Sequence, residues 1–146
     1  MASLQQLENA IDQLLDHPRG LSQYQLVRPA REKAYEAYIF GLCVRAAREI
    51  NGDPVLRAIS DPPDPFVFRG APGQIHSTFR NYGYASFSLN GRDFEIHAGV
   101  EFKGNTGVTH EVDVAIMRAE DAERCRMRPD DPKAASLVAA FECKFY

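Results

Sequence analysis

The chain has 146 residues, of which 45% are hydrophobic and 25% are charged, and its formal net charge is −3. These values predict one domain with a sizeable core, and the slight negative charge excludes a global polycation for gripping nucleic acid. Any site for a polyanion must therefore be local.

Membrane and secretory signals are not seen in the sequence. No apolar run approaches the roughly 18 residues of a membrane span, and the N-terminus lacks the layout of a signal peptide. The three cysteines, Cys43, Cys125 and Cys143, form no CxxC pair, so we expect reduced thiols. A cytoplasmic location without membrane contact is the resulting expectation.

A first amphipathic helix is predicted near the N-terminus. Ser3 and Gln6 make a candidate capping box ahead of helically spaced leucines, and residues 17–20 end the pattern. We therefore expect residues 1–28 to form a helical extension and residues 29–146 to form the core domain.

A longer helix is predicted to begin at Pro29, a residue that suits the first helical position. It should end at Asn51 and Gly52, which readily adopt the left-handed conformation of a helix cap. Its apolar stripe is predicted to comprise Tyr35, Ile39, Leu42, Ala46 and Ile50.

The pattern then changes from helical to extended. Three prolines in residues 60–65 precede the strand-like residues 66–69. Further on, Asn90-Gly91 predicts a two-residue hairpin turn in which Phe87 faces Phe94 on the core side. The opposite side is predicted to be exposed to solvent and holds Ser86, Ser88, Asp93 and Glu95.

Beyond the hairpin, Gly99 is predicted to mark a bulge, and a tight loop at residues 104–107 leads into another strand. Residues 118–136 are charged and are predicted to be an excursion with a short helical turn at 119–125. A last strand is predicted over residues 137–146. The predicted fold is mixed α/β, with N-terminal helices packed on a mainly antiparallel sheet.

Acidic residues stand at alternate positions in the strand after the tight loop. Glu111 and Asp113 should share one face, and Glu142 and Lys144 should share a face of the last strand. The other face of the first of these strands should hold Val112, Val114 and Ile116. If the two strands are neighbours, Asp113, Glu142 and Lys144 converge, and their oxygens suit Mg²⁺ or Mn²⁺.

Such a site predicts hydrolysis of phosphodiester bonds, because a cation can activate water and neutralise charge on a phosphate. Lys144 would orient the water or stabilise the phosphorus. No serine or cysteine nucleophile with a paired histidine is evident, which argues against acyl transfer. A surface ion pair on a solvated strand is the alternative interpretation.

The stretch "GVTHEVDVAIM" followed by "AAFECKFY" resembles the PD-(D/E)XK nucleases of the restriction-endonuclease-like superfamily. The resemblance implies an αβββαβ core and metal-dependent cleavage of nucleic acid, usually DNA. It implies that Asp113, Glu142 and Lys144 form the motif and that the backbone carbonyl of Cys143 is a further metal ligand. Val112 stands where the family has a proline.

The resemblance also implies a catalytic glutamate on the preceding helix, and Glu36, after Tyr35, matches its layout. Glu32 and Glu49 are alternatives. His110 and Glu111 resemble the family string as well and could contact the phosphate or support the metal ligands. A hydrogen-bonded structural histidine is the alternative for His110.

Three basic residues, Arg69, Arg80 and Lys103, lie in or near the predicted hairpin and could contact phosphates. Scattered surface charges explain them equally well. The family core should continue past the Glu-x-Lys motif into a helix and a strand, whereas this sequence stops two residues after Lys144. We therefore expect either a missing C-terminal αβ part or a homo-oligomer.

Two other functions compete with the nuclease. One is a non-catalytic nucleic-acid-binding or assembly module of the same fold. The other is an unrelated α+β interaction domain, which requires that the two acidic strands are not adjacent.

Overall fold

The computed structural model describes residues 31–70 and 73–143, together with Asn9. The predicted first helix and the extension over residues 1–28 lie outside this part, apart from Asn9, which is helical. Lys144 lies outside it as well. No helix in the described residues is long and apolar enough to cross a membrane.

Two α-helices and a five-stranded sheet make up the described chain. In chain order the elements are α1 (Arg31–Glu49), β1 (Val55–Ala58), β2 (Gly83–Leu89), β3 (Arg92–Lys103), β4 (Thr109–Arg118), α2 (Ala119–Met127), a 3₁₀ turn (Ala134–Ser136) and β5 (Leu137–Phe141). The strands follow one another in the order β1-β2-β3-β4-β5, and every neighbouring pair is antiparallel. The predicted mixed α/β fold with a mainly antiparallel sheet is confirmed.

Helix α1 covers one part of the sheet through a stripe at helical spacing. Its buried residues include Ala37, Phe40, Val44 and Ala47. The ring of Phe40 packs edge-on against that of Phe68, with 5.4 Å between the ring centroids.

The predicted apolar stripe of this helix is wrong for Leu42 and Ile50, which are exposed, whereas Ile39 packs against the core as predicted. The helix carries apolar residues on more than one side, so periodicity alone leaves the buried side undecided. The aromatic side chains of Phe66 and Phe68, which join the same core as Phe40, decide it.

The end of α1 is capped as the sequence predicts. Asn51 has a φ of 61°, and its N–H bonds to the carbonyl of Arg48. The N–H of Gly52 bonds to the carbonyl of Ala47 at 2.8 Å. This pair of hydrogen bonds is a Schellman motif, with asparagine in the left-handed position.

The β2–β3 hairpin has the predicted turn and the predicted register. Asn90 and Gly91 both have positive φ, 53° and 74°, and Phe87 pairs with Phe94. On the opposite face Ser88 and Asp93 are exposed as predicted, whereas Glu95 is buried, which corrects the prediction for that residue. Helix α2, which contacts β3 and β4, contributes Arg126 to this face.

A second core lies between the sheet and α2 and includes Val100, Phe102, Met117, Ala122 and Cys125. Residues 119–127 form a full helix, longer than the predicted turn.

Strand β1 was not predicted, and residues 66–69 form no strand but a single bridge between Val67 and Tyr82. Strand β5 ends at Phe141 instead of continuing along the predicted range.

Candidate functional site

The two acidic strands are neighbours. Val114 of β4 pairs with Phe141 of β5, and Ala115 pairs with Ala140. One more step of this register would bring Asp113 opposite Glu142. Although the ladder stops at Phe141, the side chain of Asp113 continues the connection, because its Oδ2 accepts a hydrogen bond of 2.7 Å from the N–H of Cys143.

Along β3 and β4, the side of the sheet on which alternate apolar side chains pack changes near Asp113. Ile96 and Ala98 pack in the core under α1, whereas Val100 packs in the core with α2. On β4, Val114 likewise belongs to the first core and Val112 packs against the second. The prediction that Val112 and Val114 share a face is therefore wrong.

Gly99 explains how the strand makes this change. Its φ of 70° is a left-handed conformation that glycine adopts without strain. The pairing register is the same on both sides, from Ala98–Val114 to Val100–Val112, so the predicted bulge inserts no extra residue into the β3–β4 ladder. Asp113 lies across from Gly99 at the point where the faces change.

Of the other two residues of the predicted motif, Glu142 and Lys144, the structure describes Glu142. Glu142 is exposed and follows the end of β5, and Cys143 beside it is partly buried against the core under α1. The side chain of Lys144 lies outside the described residues. The main chain that would supply the Cys143 carbonyl therefore runs beside Asp113.

Glu36 of α1 belongs to the same region. It is buried, since it lies on the side of the helix that also carries Phe40. Nζ of Lys33 lies 3.1 Å from each of its two carboxylate oxygens. The alternative Glu49 is exposed and pairs with Arg45, and the side chain of Glu32 is outside the described part.

The pKa of the Cys143 thiol is affected by the charges of Asp113, Glu36 and Lys33. Burial raises its pKa to about 12, and the negative charges of Asp113 and Glu36 act in the same direction, whereas Lys33 acts against them. Burial also raises the pKa of the Cys43 thiol on α1, to about 11. Two carboxylates and one ammonium are thus within electrostatic reach of one side chain.

His110 and Glu111 lie on β4 beyond the change of face, and both are exposed. Glu111 pairs directly with Glu101 of β3, an arrangement of like charges that is unfavourable in a sheet. A Cβ on Gly104 would come within 3.0 Å of Nε2 of His110, so glycine leaves room for that ring.

The three basic residues predicted to contact phosphates are in different environments. Arg69 is buried, with its guanidinium 4.1 Å from the centroid of the Tyr82 ring, and burial lowers its pKa to about 10. It is therefore a core residue and not a surface contact for nucleic acid, which corrects the prediction. Arg80 is exposed, and Lys103 forms an ion pair of 2.7 Å with Asp130.

Sequence reasoning missed a buried polar network on the α2 side of the sheet. The two terminal nitrogens of the Arg126 guanidinium, Nη1 and Nη2, donate hydrogen bonds of 2.8 and 2.7 Å to the carboxylate of Glu95. His97 Nε2 lies 2.7 Å from the same carboxylate. The ring of Tyr84 stacks on that of His97. Burial acts to raise the pKa of Glu95, but the bonds from Arg126 and His97 outweigh it and lower the pKa to about 2.

An open groove of about 710 Å³ runs over this network. Tyr84, Glu95 and Arg126 contribute to its wall, as do the acidic residues Asp53 and Glu123. Acidic side chains outnumber basic ones in the lining, so this side of the sheet is poorly suited to a polyanion.

The residues around Asp113 supply the kind of ligands that a hard cation prefers. The carboxylates of Asp113 and Glu142 and the carbonyl of Cys143 are oxygen donors, which suit Mg²⁺ or Mn²⁺. In the part of the chain that the structure describes, no three His, Cys, Asp or Glu side chains form a group that could hold a metal ion. A cation here would therefore depend on the main chain and on groups beyond the side-chain carboxylates.

No protein-family model, curated protein or solved structure matches this chain. The resemblance to the PD-(D/E)XK nucleases is carried by residues 107–117 and 139–146, with Tyr35-Glu36 on the preceding helix.

Proposed function

We propose that this chain is a metal-dependent nuclease that hydrolyses phosphodiester bonds, with DNA as the first substrate to test. The observation that carries the proposal is the hydrogen bond from the Cys143 N–H to Asp113 Oδ2, which joins the Asp motif to the Glu-x-Lys motif. A restriction-endonuclease-like core is part of the same proposal.

The residues that would hold Mg²⁺ or Mn²⁺ are Asp113, Glu142 and the carbonyl of Cys143. The cation would supply water activation and neutralisation of charge on the phosphate. The amine of Lys144, two residues beyond Glu142, would orient the attacking water.

Charge supports this assignment. The negative charges of Asp113 and Glu36 both raise the pKa of the Cys143 thiol, and the positive charge of Lys33 acts against them. Carboxylates that share a site repel one another, and a bound cation would relieve that repulsion.

Assembly is also proposed, because β5 lies at an edge of the sheet. Val138 of this strand is exposed, and an edge strand with apolar side chains favours pairing with another chain. Light scattering of the purified chain would report its oligomeric state.

The test of the nuclease proposal incubates the full chain with plasmid DNA, single-stranded DNA and RNA in Mg²⁺, Mn²⁺ or EDTA. We expect cleavage in either cation and none in EDTA. Asp113→Asn, Glu142→Gln and Lys144→Met should each abolish cleavage. Glu123→Gln, at an exposed position on α2, is the matched control and should cleave normally.

The results separate the nuclease from its alternative. Binding of nucleic acid without cleavage under every condition would support the non-catalytic module. Cleavage that persists in Asp113→Asn would refute the assigned site.

A further inference from the structure

The groove over the Glu95–Arg126 network lies beside α2, on the part of the sheet formed by β1 and β2. Helix α2 itself packs on β3 and β4. Along β2 the groove is lined by the small side chains of Ser86 and Ser88. Because neighbouring strands are about 4.8 Å apart, β1 and β3 are separated by about 10 Å, which is the diameter of one helix. The groove therefore has the width of a single helix lying next to α2.

Both arginines in the lining of the groove are already held by carboxylates. Arg126 is bound to Glu95 through two hydrogen bonds. Nη1 of Arg57 lies 3.3 Å from Oδ2 of Asp61, and its Nε donates a hydrogen bond of 3.0 Å to Oγ of Ser86. Five acidic and two basic side chains line the groove, so three negative charges remain after these two pairs. The groove is therefore negative despite its arginines.

Negative and apolar groups stand on both sides of the groove. Ser88 pairs with Asp93 of β3, and its N–H bonds to the carbonyl of the residue before Asp53. The two aspartates, both exposed, thus flank β2. Val55 of β1 is 48% exposed and Met127 at the end of α2 is 76% exposed. Each side of the groove therefore offers an acidic and an apolar contact.

We propose that this groove docks a basic amphipathic helix of a partner protein. Lysines or arginines on the flanks of that helix face Asp53 and Asp93, and its apolar side chains contact Val55 and Met127. A helix in this place continues the layer that α2 begins on this side of the sheet. The proposal goes beyond the nuclease activity, since none of these residues belongs to the site around Asp113.

The test measures the fluorescence anisotropy of labelled helical peptides added to the full chain. One peptide of about 18 residues carries leucine and alanine on one face and lysines on the flanks, and its counterpart has glutamate in place of lysine. The lysine peptide should bind with an affinity that falls as salt is raised, because salt screens exposed charges. The glutamate peptide should not bind.

Paired substitutions locate the binding in the groove. Asp53→Asn combined with Asp93→Asn should raise the Kd of the lysine peptide about three- to tenfold, because two charge contacts are lost. Asparagine tolerates the φ of 50° at position 53, so the backbone is kept. Glu101→Gln combined with Asp130→Asn removes two negative charges outside the lining and is the matched control. Its Kd should change by less than about twofold.

A further variant tests the apolar contact. Met127→Gln keeps the length of an exposed side chain but removes much of its apolar surface. It should raise the Kd of the lysine peptide about two- to fivefold. Circular dichroism verifies that every variant is folded.

Three results would overturn the proposal. The first is the absence of binding by the lysine peptide. The second is equal weakening by the two paired substitutions, which would indicate a general attraction to a negative chain. The third is a dimer, detected by light scattering, that dissociates when Asp53 and Asp93 are replaced, because the groove would then be occupied by a second copy of this chain.

Discussion

The N–H of Cys143 donates a hydrogen bond of 2.7 Å to Oδ2 of Asp113, across two strands that are distant in sequence. The carboxylate therefore has a structural task, because it fastens the chain that follows β5 to the middle of β4. It also brings the main chain at Cys143 beside the acid. Any substitution of Asp113 acts on stability as well as on the proposed chemistry.

This double role predicts different effects for two substitutions of Asp113. Asp113→Ala removes the acceptor and should lower the free energy of unfolding by about 1–3 kcal/mol. Asp113→Asn keeps a carbonyl oxygen and should cost less than about 1 kcal/mol, yet it removes the charge and should abolish cleavage. Urea unfolding compares the stabilities, and equal losses would contradict the structural role.

The ion pair between Glu95 and Arg126 predicts a loss of stability in acid. The pKa of Glu95 is lowered from 4.5 to about 2 in the folded chain, so the unfolded chain binds the proton more readily. The stabilisation is therefore complete above about pH 5 and is lost as the pH falls towards 2. Urea unfolding between pH 6 and 2 measures this slope.

Arg126→Met is the variant that checks the cause of that slope. It leaves Glu95 as a buried carboxylate without its bidentate partner and should destabilise the fold by about 3–5 kcal/mol at neutral pH. Because the pKa of Glu95 is then no longer held down by Arg126, the loss of stability between pH 5 and 2 should shrink. An unchanged slope would assign the pH dependence to another group.

Gly83 predicts a packing effect. A Cβ at this position would lie 2.5 Å from Cε2 of Phe66, whose ring is buried in the core under α1. Gly83→Ala should therefore destabilise the fold by about 1–3 kcal/mol, measured by urea unfolding. The double variant with Phe66→Leu should lose less than the sum of the single losses, and simple additivity would contradict the contact.

Arg69 and Arg80 are predicted to differ in their effects on nucleic-acid binding. Arg69→Met should lower stability by about 1 kcal/mol through loss of its contact with Tyr82 but leave DNA affinity unchanged. Arg80→Met should leave stability unchanged, weaken DNA binding and reduce its salt dependence by about one phosphate contact. Fluorescence anisotropy of a labelled duplex at several salt concentrations measures both, and reduced affinity in a stable Arg69→Met chain would contradict the assignment.

The sequence by itself determined the features that are encoded within a few neighbouring residues. Asn90 and Gly91 specify a turn through their tolerance of positive φ, and the alternation on either side gives its register. Asn51 specifies the cap of α1 for the same reason. Because these choices depend on local backbone energies, they could be read without knowing what packs against them.

Part of the candidate site was also accessible in this way. The acidic pattern around Asp113 and the Glu-Cys-Lys string suggested that two strands lie side by side, and β4 and β5 are neighbours. Lys33 was missed although its spacing from Glu36 was visible in the sequence, because an i,i+3 ion pair on a helix is usually a surface feature.

Only the tertiary structure decided which polar groups are buried. The sequence predicts Glu95 on a solvent-exposed face, whereas in the structure α2 brings Arg126 to it. The sequence likewise shows Glu36 as an ordinary helix glutamate, and only the aromatic core, which orients α1, places it on the buried side. Arg69 became a core residue by stacking on Tyr82. Burial of a charge depends on partners that are far away in the chain, and no local pattern states which segment will supply them.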